Sequence, residues 1–268
     1  MFRPRIVPVL LMSQRGLYKT TRFVERRYLG DPLNAVRIFN EKQADEIIGL
    51  DIDAQKRGVG PDFDFIAELL EEVSMPFCYG GGVRSLDDAR RLIFLGVDKI
   101  ALGVSSLSRT DLISEISQEF GRQSVSAILN IGREAENPTW QVFDLRVMSF
   151  SQKCGLELAR ELVSAGAGEI IFNFVDLDGC MNGYAVDFAS RACEIIDSQV
   201  TFLGGAGDLE DLRDLFRACG PVGAAAGSLF VYKGANRAVL INYPSLAQRY
   251  ELARLIHRRW PEGLTGVA

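Results

Sequence analysis

Short runs of β-branched and apolar residues recur along the chain, most of them followed by a stretch with helical spacing. The runs at Ile6–Leu11, Ile47–Leu50, Phe77–Tyr79, Ile100–Leu102, Val125–Leu129, Ile170–Phe174, Val200–Leu203 and Gly223–Ala226 read as strands. Helices are predicted around Leu33–Glu41, Phe63–Val73, Ser85–Leu95, Asp111–Phe120, Asp187–Ile196, Leu209–Arg217 and Leu246–His257. A long polar loop follows the first strand, and TWQVFDLRV reads as a small hairpin in the fifth unit. Eight strand–helix units close naturally into a parallel (β/α)8 barrel, and an open doubly wound sheet is the competing arrangement.

An internal repeat favours the barrel. ADEIIGLDID (44–53) resembles AGEIIFNFVDLD (167–178), and YGGGVRSLDDARRLI resembles LGGAGDLEDLRDLF, with Leu86 displaced by 123 residues onto Leu209. A duplicated (βα)4 unit is the signature of a two-fold barrel. The expected organisation is one TIM-barrel domain over 1–268, with half-barrels at about 1–122 and 123–245 and a C-terminal helix at 245–260.

Composition narrows the chemistry. The 268 residues are 47% hydrophobic, enough for a sizeable core, and the net charge is −5. That balance argues against nucleic acid or an anionic membrane as partner, and no stretch approaches a membrane span. The five cysteines form no CxxC pair, which suits reduced thiols in the cytoplasm. The single histidine, His257, falls in a basic C-terminal helix and reads as a surface residue. The chain thus lacks the Cys–His and Ser–His sets of most hydrolases, and hydrolysis of glutamine is not expected of it alone. No metal site and no cofactor are expected.

Glycine-rich turns carry the first binding hypothesis. Gly80, Gly81 and Gly82 follow a strand and precede a helix that Ser85 can cap; Gly204, Gly205, Ala206 and Gly207 repeat this in the second half. Each is followed one strand later by a small polar turn, at Gly103–Ser106 or Ala226–Ser228. Glycine lets backbone N–H groups approach an anion, and a helix start favours negative charge. Gly81, Gly82, Gly103 and Ser105 would hold one phosphate, and Gly205, Ala206, Gly227 and Ser228 a second. Tight strand-to-helix turns need glycine for backbone reasons as well.

The segments GDP (30–32), DEIIGLDI, PFCYGGGVRSLDDA, GAGEII, DLDGCMNGY and GGAGDLEDL together resemble the cyclase (synthase) subunit family of imidazole glycerol phosphate synthase, HisF, over nearly the whole chain. The resemblance implies a partner glutaminase whose ammonia crosses the barrel interior. At the mouth, that ammonia joins a bisphosphorylated ribulosyl formimino carboxamide, which then cyclises. It implies general acid–base aspartates at the ends of strands one and five; here those positions are Leu11 and Asn130. Leucine cannot transfer a proton, and an amide is a poor base. The resemblance also gives Lys19 a substrate contact from the first loop. Asp51, Asp176 and Asp178 end the second and sixth strands and are the residual candidates, with Asp51 and Asp178 expected to face ligand; acids at such places also cap loops.

At the other end, Arg5, Glu46, Lys99 and Glu169 each begin a strand ahead of an apolar run. Two bases and two acids there predict mutual pairing, because burying any one alone is costly. Charges on this face also serve stability alone. The resemblance makes these four the ammonia gate and Asp98 a glutaminase contact.

The tail GSLFVYKGANRAVLINYPS, the LLM of strand one and GDPLNAVRIFNEKQADE are similar to HisF-like barrels associated with glycosyl amidation in surface-polysaccharide clusters. That likeness implies a barrel passing ammonia toward a separate ATP-dependent amidotransferase acting on a nucleotide-linked acetamido sugar. No GxxxxGK[ST] loop is present to bind ATP here. This conduit is the leading expectation. The alternatives are a histidine-pathway cyclase subunit, made doubtful by Leu11 and Asn130, and a non-catalytic phosphate-binding barrel that regulates a partner.

Overall fold

The computed structural model describes residues 4–103, 110–134, 139–234 and 236–259. The first half runs β1 (Arg5–Ser13), β2 (Gly16–Thr21), β3 (Glu25–Gly30), α1 (Pro32–Glu41), β4 (Ile47–Asp51), α2 (Ala54–Arg57), α3 (Phe63–Glu71), β5 (Phe77–Gly80), α4 (Leu86–Leu95), β6 (Lys99–Gly103) and α5 (Thr110–Phe120). The second continues β7 (Val125–Gly132), β8 (Gln141–Asp144), β9 (Ser149–Cys154), α6 (Gly155–Ser164), β10 (Glu169–Phe174), α7 (Val186–Ile195), β11 (Gln199–Leu203), α8 (Leu209–Cys219) and β12 (Gly223–Ala226). After a short turn, α9 (Ser228–Val231), the ribbon β13 (Tyr232–Lys233) and β14 (Ala238–Val239) lead to α10 (Leu246–Arg259).

Strands β10, β11, β12, β1, β4, β5, β6 and β7 pair in parallel, and β7 pairs back to β10 from Ser126↔Glu169 to Ile131↔Phe174. That last pairing closes the ring, so the structure is a (β/α)8 barrel and not the open sheet. Among the described residues no helix is long and apolar enough to cross a membrane.

Strand pleat sorts the side chains into two cores. Val7, Val9, Ile48, Cys78, Ala101, Ile128, Ile171, Leu203 and Ala225 fill the bore, with Leu11 and Leu50 above them. The alternating positions, among them Ile6, Leu10, Ile47, Phe77, Phe172 and Phe202, face the helices. The duplication reaches the helix caps. Ser85 and Asp88 form a reciprocal capping box on α4, and Asp208 and Asp211 form the same box on α8.

Two elements go beyond the pattern of apolar positions. Helix α6 completes the fifth unit with Leu156, Leu158, Ala159 and Leu162 buried. The long polar loop after β1 is an antiparallel ribbon, with Leu11 opposite Tyr18 and Lys19 opposite Arg27. Its turns run through Gln14 (φ 48°), Arg15 (φ 63°), Arg22 (φ 50°) and Phe23 (φ 63°), left-handed positions held without glycine.

The LINYPS segment has a structural role at the bottom face. The Tyr243 hydroxyl donates to the Ile6 carbonyl at 2.8 Å and accepts from the Asp45 N–H at 3.0 Å. Asp45 in turn accepts from the Ile6 N–H and from Arg249, both at 3.0 Å.

Candidate functional site: a charged ring, an apolar bore and a covered mouth

The four strand-start charges meet in one ring. Arg5 bonds Glu46 at 2.5 Å and Glu169 at 2.7 Å; Lys99 bonds the same two carboxylates at 2.9 and 3.0 Å. Thr201 and Ser126 donate to Glu169 at 2.5 and 3.0 Å, so its lone pairs are well used. Burial pushes the Glu169 carboxyl up, but Arg5 and Lys99, with the Thr201 hydroxyl, outweigh it and hold it at about 2. Burial likewise works against the charge of Arg5 and Lys99, and the two carboxylates more than restore it, leaving both raised. Arg5, Lys99 and Glu169 are thus held in their charged forms by one another. Asp98 lies next to it on the exposed bottom face, where its carboxylate accepts the Phe77 N–H at 2.8 Å. Phe94, on the last turn of α4, is 97% exposed nearby in sequence.

Above the ring the wall is apolar up to the mouth, where polar groups return. Asn173 donates through Nδ2 to Oδ1 of Asn130 at 2.9 Å, both side chains buried on adjacent inward positions. Asn173 was not among the residues marked out by sequence. Its signal was its parity with Glu169 and Ile171, which also point inward. Leu11 sits at the same level on β1.

The β2–β3 ribbon covers this mouth. Lys19 Nζ donates to the Val9 carbonyl at 2.6 Å, and a side chain on Gly227 would collide with its ammonium. Burial pushes Lys19 down to about 8 although Asp178 acts in the other direction. Asp178 accepts from the Thr20 hydroxyl at 2.6 Å and the Phe23 N–H at 3.2 Å; burial raises its carboxyl despite these bonds and Lys19. Arg26 forks onto Asp53 at 2.6 and 2.8 Å, and Phe23 packs edge-on against Phe143 of β8. The Arg27 guanidinium stacks over Tyr232. Five connections therefore hold the ribbon down.

The other acids hold loops as well. Asp51 lies at an outward strand position; its Oδ1 accepts the Asp53 and Ala54 N–H groups, both at 3.0 Å, and Oδ2 pairs with Arg57 at 2.9 Å. Asp176 accepts the Arg133 N–H at 2.8 Å. The parity of β4, with Glu46, Ile48 and Leu50 inward, is the sequence signal that sets Asp51 aside from the bore.

The glycine turns have backbone reasons for their composition. Gly81 (φ 124°) abuts Asp51, Gly82 (φ 74°) abuts Gly60, and Gly205 (φ 103°) abuts the Gly183 carbonyl, each closer than a Cβ allows. The Asp88 N–H of α4 and the Glu210 and Asp211 N–H groups of α8 are taken by their side-chain caps. Donors for an anion would come from the glycine turns, from the helix-start N–H groups left uncapped and from the start of α9 at Ser228. Ser105 lies outside the described residues. Among the described residues no group of three or more His, Cys, Asp or Glu converges to hold a metal.

The family model for the histidine biosynthesis protein matches residues 5–236. A protein of Leptospira borgpetersenii, provisionally named imidazole glycerol phosphate synthase subunit HisF, is 44% identical over 91% of this chain and 96% of its own length. A Vibrio vulnificus protein, provisionally named subunit hisF3 of the same synthase, is 41% identical over 95% of this chain and 98% of its own. The imidazole glycerol phosphate synthase subunit HisF of Exiguobacterium sibiricum is 35% identical over 86% and 91%. With its closed eight-strand barrel and this breadth of similarity, the chain belongs to the HisF-type branch of the histidine biosynthesis protein family.

Proposed function

We propose that this chain is the barrel subunit of an imidazole glycerol phosphate synthase-type amidotransferase, receiving ammonia from a HisH-type glutaminase and releasing it at the covered mouth. The observation that carries the reading is the succession of a closed charged ring, an apolar bore and a polar mouth along one axis. An apolar bore passes neutral ammonia and rejects ammonium, whose desolvation is costly. Exposed Asp98 and Phe94 suit a partner on the bottom face. The names of the relatives favour the ribulosyl carboxamide of imidazole glycerol phosphate synthesis as acceptor over any sugar. Its two phosphates would lie at the Gly81–Gly82 and Gly205–Ala206 turns, completed by Gly103 and by Gly227–Ser228.

One observation favours a second reading. Leu11 and Asn130 hold no proton to move, which suits a conduit feeding a separate ATP-dependent amidotransferase on a nucleotide-linked acetamido sugar. In either case Lys19, Asp178 and the paired amides are the polar groups nearest the exit.

The deciding experiment reconstitutes the chain with its glutaminase and follows amide-labelled nitrogen from glutamine. Transfer into the ribulosyl substrate is the expected result, with Lys99→Met lowering transfer more than glutaminase turnover. No transfer to that substrate, but transfer to an acetamido sugar once the ATP-dependent enzyme is added, replaces the first reading with the second. Phosphate-ligand binding without transfer to either leaves a regulatory barrel.

A further inference from the structure

A cavity of about 390 Å³ opens on the top face beside the mouth, between the first two strand-to-helix connections and β5. It lies outside the bore: Met12 and Tyr79 reach it from strand positions that alternate with inward Leu11 and Cys78. Met12, Phe65 and Ile66 give it an apolar floor. Two ion pairs stand on its rim, Arg57–Asp51 at 2.9 Å and Arg15–Asp62 at 3.0 Å. Tyr79, only 2% exposed, lines the cavity, and its hydroxyl makes no hydrogen bond to another described residue. Asp51, Asp62 and Arg57 all act on that hydroxyl, which places it among both ion pairs.

We propose that this cavity binds the zwitterion of an L-amino acid with an apolar side chain. The ligand carboxylate takes the Arg57 guanidinium and the Tyr79 hydroxyl. Its ammonium faces Asp51 Oδ2 and Asp62, and its side chain lies on the Met12–Phe65–Ile66 floor. Asp51 is preset for this exchange. Its Oδ1 is fixed by two backbone N–H groups, so the carboxylate stays in place when Arg57 turns to the ligand. Opening exposed ion pairs costs little. A ligand of one sign meets two like charges whichever way it enters, so the alternating rim selects a molecule with both. The rim segment at Val59–Gly60 packs against Gly82 and accepts from Arg84 at 3.2 Å, so an occupant also touches the support of that glycine turn.

Calorimetric titration of the full-length chain with L-leucine and L-phenylalanine, to about 10 mM, tests the assignment without glutaminase or acceptor. Saturable one-to-one binding of at least one is expected, about tenfold tighter than 3-phenylpropionate or phenethylamine under the same conditions. Tyr79→Phe is expected to weaken it about tenfold. Arg57→Gln, a rim change that leaves the core untouched, should weaken it at least as much. Absence of saturable binding, equal binding of a one-charge analogue, or unchanged affinity in Arg57→Gln overturns the proposal. None of these results bears on the ammonia reading.

Discussion

Asn173 and Asn130 are locked amide to amide across 2.9 Å at the upper end of the bore, leaving the Asn130 amino group and the Asn173 carbonyl oxygen unused by the bond and free for a ligand. Reversing both amides exchanges their ends but keeps that pattern. A carboxamide or acetamido group presents its complement, whereas proton transfer has no agent here.

Installing carboxylates should therefore change the chemistry and not the fold. The variant Leu11→Asp/Asn130→Asp is expected to raise ammonia-dependent cyclisation of the ribulosyl substrate by about 10²–10⁴-fold over the natural chain. Steady-state assay with ammonium salts measures it without the partner. No gain would mean that other groups already carry the protons.

The charged ring should dominate acid sensitivity. Glu169 sits at about 2 when folded, against an unfolded value near 4.3. Its contribution is therefore complete above the unfolded value and is lost as pH falls from there toward 2, about 3 kcal/mol in all. Urea melts across that window should show the loss. In Glu169→Gln the acid limb should flatten, and stability at neutral pH should drop by about 3–5 kcal/mol because two buried cations then share one acid.

Lys19 gives the ribbon a dependence of the same sign in an alkaline window. It sits at about 8 when covered and near 10.4 when released, so uncovering takes up a proton between those values. The covered state should gain about 3 kcal/mol as pH rises through that interval. Hydrogen-exchange protection of residues 17–29, corrected for intrinsic rates, reads this directly, and Lys19→Met should remove the dependence.

The Arg26–Asp53 fork is the third control. Side-chain bonds from Arg26 hold the Asp53 carboxyl down at about 2, together with the Ser13 hydroxyl, against the effect of burial. Asp53→Asn should speed proteolytic cleavage within 21–28 several-fold while the global melting midpoint moves little. An unchanged cleavage rate would show that the Asp178 and Phe143 contacts suffice.

The repeat made the barrel legible, because each half must bury the same faces, and a displacement of 123 residues carries Ser85 onto Asp208 and Glu46 onto Glu169. The ring was legible too, since charge ahead of an apolar run leaves burial with pairing as the only economical outcome. The ribbon was hidden because Gln14–Arg15 and Arg22–Phe23 take left-handed turns without the Asn-Gly or Asp-Gly that announces them. The roles of Asp51 and Asp178 were hidden for another reason. Which way a strand-end acid points follows from pleat parity, but what the Asp178 oxygens accept depends on a ribbon more than a hundred residues away, and those of Asp51 on how the next loop turns back.

Tyr243 ties Ile6 to Asp45, and β12 supplies the neighbour of β1. Both are synthesised about two hundred residues after β1. Until then the nascent chain carries β1 as an open edge, a template for pairing with another molecule. Closure of the barrel thus waits on a seam between β1 and segments made far later in the chain. Truncations near Tyr243 should be felt first as aggregation during expression, before any effect on ammonia can be measured.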